Sequence, residues 1–239
     1  YINVKMKQQN FFNHVDKIKS YEGDPQIVKL FSENEIKEIN NFYNKLPLTL
    51  YNEKQKIKKK HWLLNFDKKM DELIIERTNQ VLDNCELDNM YSSEAAFGIF
   101  HESFNPIGLH VDSGKDKNSI IYKQILIPLS DIGETLLFEP RWFGPSSSFT
   151  VNESELSIKG GYNVKTNDHL GKEDFDIDIH QKYLSHENIN NFKGLKVKQI
   201  YKWRLGEAFI FDRTFIHCSS KLKKSKIGLT IFFKKLVSQ

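Results

Sequence analysis

The stretch "GEAFIFDRTFIHCSSKLKKSKIGLTIFFKK", residues 206–235, sets the class of the chain. Gly206 opens an apolar run through Phe211, Asp212 and Arg213 close it, a short segment carrying His217 follows, and "KIGLTIFFK" begins again at Lys226. Short continuous apolar runs bounded by turn residues read as buried strands. The same texture extends back to residue 94 through "EAAFGIFHE", "IGLHVD", "SIIYKQILIPL", "ETLLFE" and "KVKQIYKWRL". The chain from 94 onward is therefore expected to be strand-rich.

Upstream the period changes. "FSENEIKEINNFYNKL" reads as a helix with Ser32 and Glu35 as a capping box, an apolar stripe of Ile36, Ile39, Tyr43 and Leu46, and Pro47 as its stop. A second helix is expected from Asp67 to about Asn84, with Met70, Leu73, Ile74, Arg77 and Val81 on one face. Helices followed by many strands predict two helices covering one face of an antiparallel double-sheet jelly roll. One domain over 1–239 is expected, with 1–93 as helical support, 94–236 as the β core, and a polar insert at about 140–196 read as a lid or binding loop. A short helix is expected in "DFDIDIHQKYLSHENI", and His169, His180 and His186 in the insert have no metal spacing.

Hydrophobic residues at 39%, charged residues at 28% and a formal charge of +4 exclude a disordered chain. No apolar run reaches the ~20 residues of a membrane span, and a cytoplasmic protein is expected. Cys85 and Cys218 lie far apart, which predicts free thiols rather than a thiolate zinc site. No acid follows Asp212 whereas seven basic residues do, so that end is electropositive: it reads as a solvated surface, the alternative being a field that gathers anionic ligands. The basic run "KQKIKKKH" at 54–61 has no aromatic interleaving and no nucleic-acid motif, so no nucleic-acid partner is expected.

The tripeptide His-Val-Asp occurs twice. His14 to Asp16 precedes the first helix without β-alternation and reads as an ordinary polar segment. His110 and Asp112 end a strand entered through Pro106 and Gly108, and residues i and i+2 of a strand share a face, about 6.6 Å apart at ~3.3 Å per residue. They can converge on one ion, provided a third ligand comes from elsewhere. His217 is that candidate. Two histidines and one carboxylate leave open positions on an octahedral metal and suit ferrous iron, whereas zinc favours closed tetrahedral sets.

The order H-x-D, a gap of about a hundred residues, a His after "FDR", and a basic residue ahead of "GLTIFF" resembles the Fe(II)- and 2-oxoglutarate-dependent oxygenase superfamily. The likeness is strongest to the branch of prolyl hydroxylases and phytanoyl-CoA-hydroxylase-like enzymes, over roughly 94–236. The resemblance implies a double-stranded β-helix, a metal held by His110, Asp112 and His217, and 2-oxoglutarate and dioxygen as cosubstrates. It also implies a basic residue that grips the distal carboxylate of 2-oxoglutarate. Lys226 fits that role, Lys123 on the strand after H-x-D is its rival, and Thr230 and Ser219 are candidate hydrogen-bonding partners. His101 and Glu102 occupy a region where relatives often contact cosubstrate or substrate, while Arg213 is expected to bond turn carbonyls. The implied activity is hydroxylation of an unactivated C–H bond of a small molecule or amino-acid side chain. Two alternatives stay open: a cupin-like metalloprotein without 2-oxoglutarate chemistry, and a non-catalytic binding module on the same fold.

Overall fold

Strand β13 (Lys226–Leu236), formed by the "KIGLTIFFK" run, lies at the centre of the larger of two sheets. The computed structural model describes residues 23–53, 55–62, 65–81, 96–112, 119–143, 146–151, 162–164 and 171–236. The other elements are β1 (Gln26–Lys29), α1 (Glu33–Lys45), β2 (Leu50–Asn52), β3 (Ile57–His61), α2 (Lys68–Asn79), β4 (Ala96–Ser103), β5 (His110–Val111) and β6 (Ser119–Pro128). They continue with β7 (Glu134–Arg141), β8 (Ser147–Phe149), β9 (Tyr162–Val164), α3 (Ile177–Ile179), β10 (Val197–Lys202), β11 (Glu207–Asp212) and β12 (Phe215–Ser219). The seven-stranded sheet runs β1-β11-β6-β13-β4-β3-β2, and the six-stranded sheet runs β10-β7-β12-β5-β8-β9. The chain is mainly β, and the two sheets form the double-stranded β-helix expected from the sequence. Among the described residues no helix is long and apolar enough to cross a membrane.

The side-chain period of two divides the larger sheet into two working faces. Phe100, Ile125, Ile127, Ile210, Leu229, Ile231 and Phe233 point outward into one core cluster with Ile36, Ile39 and Phe42 of α1 and Met70 and Ile74 of α2. Ile99, His101, Gln124, Leu126, Thr230 and Phe232 point the other way, into a cavity between the sheets. The helices thus cover one face and leave the other for a site.

Helix α1 has the expected capping box: Glu35 N donates to Ser32 Oγ and Ser32 N to Glu35 Oε2, at 3.3 and 2.7 Å. Its Glu35 carboxylate also accepts from Arg77 of α2 at 2.6 Å, so Arg77 contributes a salt bridge as well as its stem. Helix α2 starts at the Asp67 cap but stops at Asn79, short of the expected Asn84, as Gln80 and Val81 close it with tight turns onto Arg77 and Thr78. Residues 82–95, including Cys85, lie outside the described set, as do His14 to Asp16 and His169.

Two segments hold more structure than the sequence pattern shows. The basic run at 54–61 holds strand β3, paired with β4 from Ile57↔Ser103 to His61↔Ile99. The described part of the insert belongs to the body of the fold. It adds β8 and β9 to the smaller sheet, and Phe175, Leu184, Phe192 and Leu195 pack on Leu136 and Phe138 of that sheet. The expected short helix is there as α3, which continues into a wide π-type turn over His180–Leu184.

Gly206, in the β10–β11 turn, has φ +82°, and its carbonyl accepts from both Leu30 N and Phe31 N, at 2.7 and 2.9 Å. An added Cβ would clash with the Phe31 carbonyl oxygen. Gly206→Ala is expected to destabilise the protein by about 1–3 kcal/mol, from the left-handed backbone alone, with the backbone clash adding to it. A denaturant midpoint unchanged from the parent would refute this role for the turn.

Candidate metal centre

His110 and His217 face each other because β5 and β12 pair through one position, His217↔His110. Their ring centroids are 4.2 Å apart. Asp112, two residues past His110, enters the same space: its Oδ1 lies 3.5 Å from His110 Nε2 and its Oδ2 lies 3.2 Å from His217 Nε2. One donor atom from each of the three residues falls within 4.8 Å of the others. Strand β5 is short because its flanks serve the site. Pro106 has no N–H to give a ladder, and the Gly108 carbonyl is bound by His110 Nδ1 at 2.7 Å.

The two imidazoles are held alike. His110 Nδ1–H donates to Gly108 O, and His217 Nδ1–H donates to Phe215 O at 2.9 Å. A ring that spends Nδ1–H on a carbonyl presents the lone pair of Nε2, which is how metal-binding histidines are oriented. Both Nε2 atoms point at Asp112. Burial would raise the Asp112 carboxyl, but hydrogen bonds from both histidines more than offset it and hold it well below the usual carboxylate range. Burial opposes charge on His110 as well, yet the bond to Asp112 prevails and raises it. At His217, burial and the neighbouring His110 prevail and lower it. The metal-free cluster thus holds protons that a cation displaces on binding. A buried carboxylate between two pre-set imidazoles fits a divalent metal with open positions.

The cavity above this cluster has a volume of about 390 Å³. Lys226 and Thr230 of β13 line it, and Lys123 does not. Lys123 shares the outer face with Ile125 and Ile127, beyond which a bulge in the β6–β13 pairing breaks the alternation and brings Tyr122 into the outer core, and its ammonium lies 3.9 Å from Asp212, which Arg141 also holds at 3.0 Å. The rival lysine is thus placed outside the cavity, with an acid of its own. Lys226 is buried at 1% exposure; its Nζ donates to Ser219 Oγ at 2.8 Å and sits 4.2 Å over the Trp203 ring. Gly228, two residues on, makes room for that ring: a Cβ there would be 2.8 Å from Trp203 Cη2. Burial lowers the Lys226 ammonium to about 7.

Arg213 bonds carbonyls, as expected: Nε donates to Asp112 O at 3.2 Å and Nη1 to Trp142 O at 3.4 Å, so it braces the backbone of a cluster residue. His101 lines the cavity edge-on to Trp203, and burial lowers it to about 3. Cys218 is buried in the opposite cluster, in keeping with alternation along β12. His180 and His186 stay outside the cluster.

The sequence leaves the facing of two cavity residues undecided or unread. Gln124, which could face either way, is buried at 1% exposure, and among the described residues neither its Oε1 nor its Nε2 has a partner. A buried primary amide without partners costs free energy unless a ligand or water supplies them. Its signal was available: a glutamine inside the apolar strand "YKQILIP". Lys59 is the other, hidden in the run of lysines.

The arrangement defines a double-stranded β-helix with a two-histidine, one-carboxylate cluster at the mouth of one sheet and a buried lysine in the same cavity. Comparison of the sequence with known families and with characterised proteins finds no match. The fold does match. It is similar to a 2OG-Fe(II) oxygenase family oxidoreductase from Burkholderia pseudomallei, at a TM-score of 0.50 and 11% identity over 93% of this chain and 90% of that one. A Pseudomonas putida prolyl-4-hydroxylase is matched at 0.50 and 9% identity, over 94% and 98% of the two chains. So is the epimerase SnoN in complex with Fe3+, alpha ketoglutarate and nogalamycin RO, at 0.50 and 9%, over 92% and 83%. The fold is therefore the one that 2OG-Fe(II) oxygenases have, prolyl hydroxylases among them.

Proposed function

We propose that the chain is an Fe(II)- and 2-oxoglutarate-dependent dioxygenase that hydroxylates an unactivated C–H bond of a small molecule or amino-acid side chain. The observation that carries this reading is the cluster of His110, Asp112 and His217, with both Nδ1 atoms held by carbonyls and both Nε2 atoms turned to Asp112, sharing one cavity with the buried Lys226. His110, Asp112 and His217 would hold Fe(II), which when bound supplies open positions and redox electrons for the cosubstrate and dioxygen.

The chain's own residues do the rest. Lys226, supported by Ser219, provides the fixed cation that a buried distal carboxylate requires, and Thr230 lies within the same wall. The unpartnered Gln124 amide offers a donor and an acceptor to a bound oxygen or nitrogen. Leu126, Trp203, Phe211 and Phe232 form apolar walls that keep water from competing for those groups.

Anaerobic addition of Fe(II) followed by 2-oxoglutarate is expected to produce the visible charge-transfer band of a chelated 2-oxo acid. Metal binding without the band would instead support a cupin-like metalloprotein. Binding of a polyanion that survives chelation, with no metal bound at all, would support a non-catalytic module.

A further inference from the structure

The three lysines of β3 divide by strand parity. Lys58 and Lys60 point to the helix side, where Lys58 Nζ meets Glu102 at 3.3 Å and Lys60 Nζ donates to Tyr43 O at 2.8 Å. Lys59 points the opposite way, paired across to His101, and lines the cavity with Ile57. It is half-buried, and among the described residues its ammonium makes no hydrogen bond or ion pair, although its carbonyl accepts from Thr49 N at 2.9 Å. The cavity it lines is the one that His101 and His110 also line. Asn52 and Gln55, on the same rim, are bonded to one another through Nδ2 to Oε1 and N to Oδ1, both at 3.0 Å. Asp112 is the sole acid lining the cavity among the described residues, and it is committed to the two histidines.

We infer that Lys59 is a specificity-determining residue that binds a carboxylate on the primary substrate, which is a small acid with an apolar body. The inference rests on the oxygenase reading, in which Lys226 takes the distal carboxylate of 2-oxoglutarate and the metal takes the other end, leaving Lys59 unclaimed. A single ammonium suits a monoanion, whereas a phosphate dianion is usually met by several donors or an Arg fork. Beside the mutually bonded Asn52 and Gln55, the lining around Lys59 carries the apolar Leu50, Ile57, Ile99 and Ile107. A volume of about 390 Å³ lies at the small end of ligand sites and is shared with the cosubstrate, so the substrate is small.

The test uses the full chain loaded anaerobically with Fe(II) and 2-oxoglutarate. It is titrated calorimetrically with butyrate, hexanoate, octanoate and benzoate and with the matching amides, while the charge-transfer band is followed. The expected result is that at least one acid binds ten times or more tightly than its amide with the band retained. Lys59→Gln abolishes that preference and Lys59→Arg restores it, with the 2-oxoglutarate dissociation constant of all three proteins alike. Equal binding of every acid and amide, no binding of any acid, or a preference that survives in Lys59→Gln overturns the assignment. So does an acid that bleaches the band, because it has then taken the cosubstrate's place. If the band never forms in the parent, the oxygenase reading itself falls; if it forms and the preference is missing, only the role of Lys59 falls.

Discussion

An Asp112→Ala protein is expected to bind Fe(II) at least about a hundredfold more weakly than the parent and to lose conversion of 2-oxoglutarate to succinate. Groups that merely orient metal ligands are worth roughly 10–100-fold in affinity, and Asp112 is a donor itself. It also carries the cluster's sole negative charge: with two neutral imidazoles alone, the cation would enter a buried site with no charge to balance its lost hydration. Asp112→Asn separates charge from shape. The amide fills the same space between Nε2 of His110 and His217, so the metal-free protein should fold and melt normally while Fe(II) affinity still falls. His110→Ala should likewise abolish turnover. Calorimetric titration of Fe(II) under anaerobic conditions reads these effects directly, and parent-like affinity in Asp112→Ala would remove the metal centre from the account.

What the sequence disclosed depended on how each strand is covered. β6 and β13 were legible because α1 and α2 bury their outer face and the cavity wall buries the inner one, so both carry near-continuous apolar runs. β3 was not, because its outward positions are filled by lysine stems whose heads reach Glu102 and a helix carbonyl instead of by apolar side chains. The insert hid its core for a related reason. Phe175, Leu184, Phe192 and Leu195 approach the smaller sheet from turns and short helical segments, and such spacing has no period. At the site, the i, i+2 rule placed His110 and Asp112 on one face, but it could not name which face of β6 lined the cavity. That ambiguity alone kept Lys123 alongside Lys226. Parity in the folded sheet resolves their positions, with Gln124 and Leu126 inward and Lys123 outward toward Asp212.

Lys226→Met is expected to weaken 2-oxoglutarate binding by at least about thirtyfold, since removing one partner of a buried charge pair costs roughly 2–5 kcal/mol and 1.4 kcal/mol is tenfold. The variant should fold, because a methionine side chain of similar length replaces a charge that burial disfavours. The parent's pH dependence gives the sharper test. Burial lowers Lys226 to about 7 in the free protein, against an ordinary value of 10.5, so above neutrality the empty site loses its proton. An arriving carboxylate needs the ammonium, and binding must then draw in a proton. With metal saturating, the dissociation constant for 2-oxoglutarate should rise about tenfold per pH unit above about 7. Stability has the opposite slope. Between pH 7 and 10.5 the unfolded chain holds the lysine proton and the ligand-free fold does not, so this group makes the empty protein more stable as pH rises through that window and less stable as it falls. Lys226→Arg keeps its charge throughout and should flatten the affinity profile even if its longer fork binds less well. A parent profile that is level from pH 7 to 9, or a methionine variant that binds 2-oxoglutarate normally, would move the carboxylate to another group in the cavity, and Lys59 would be the next to test.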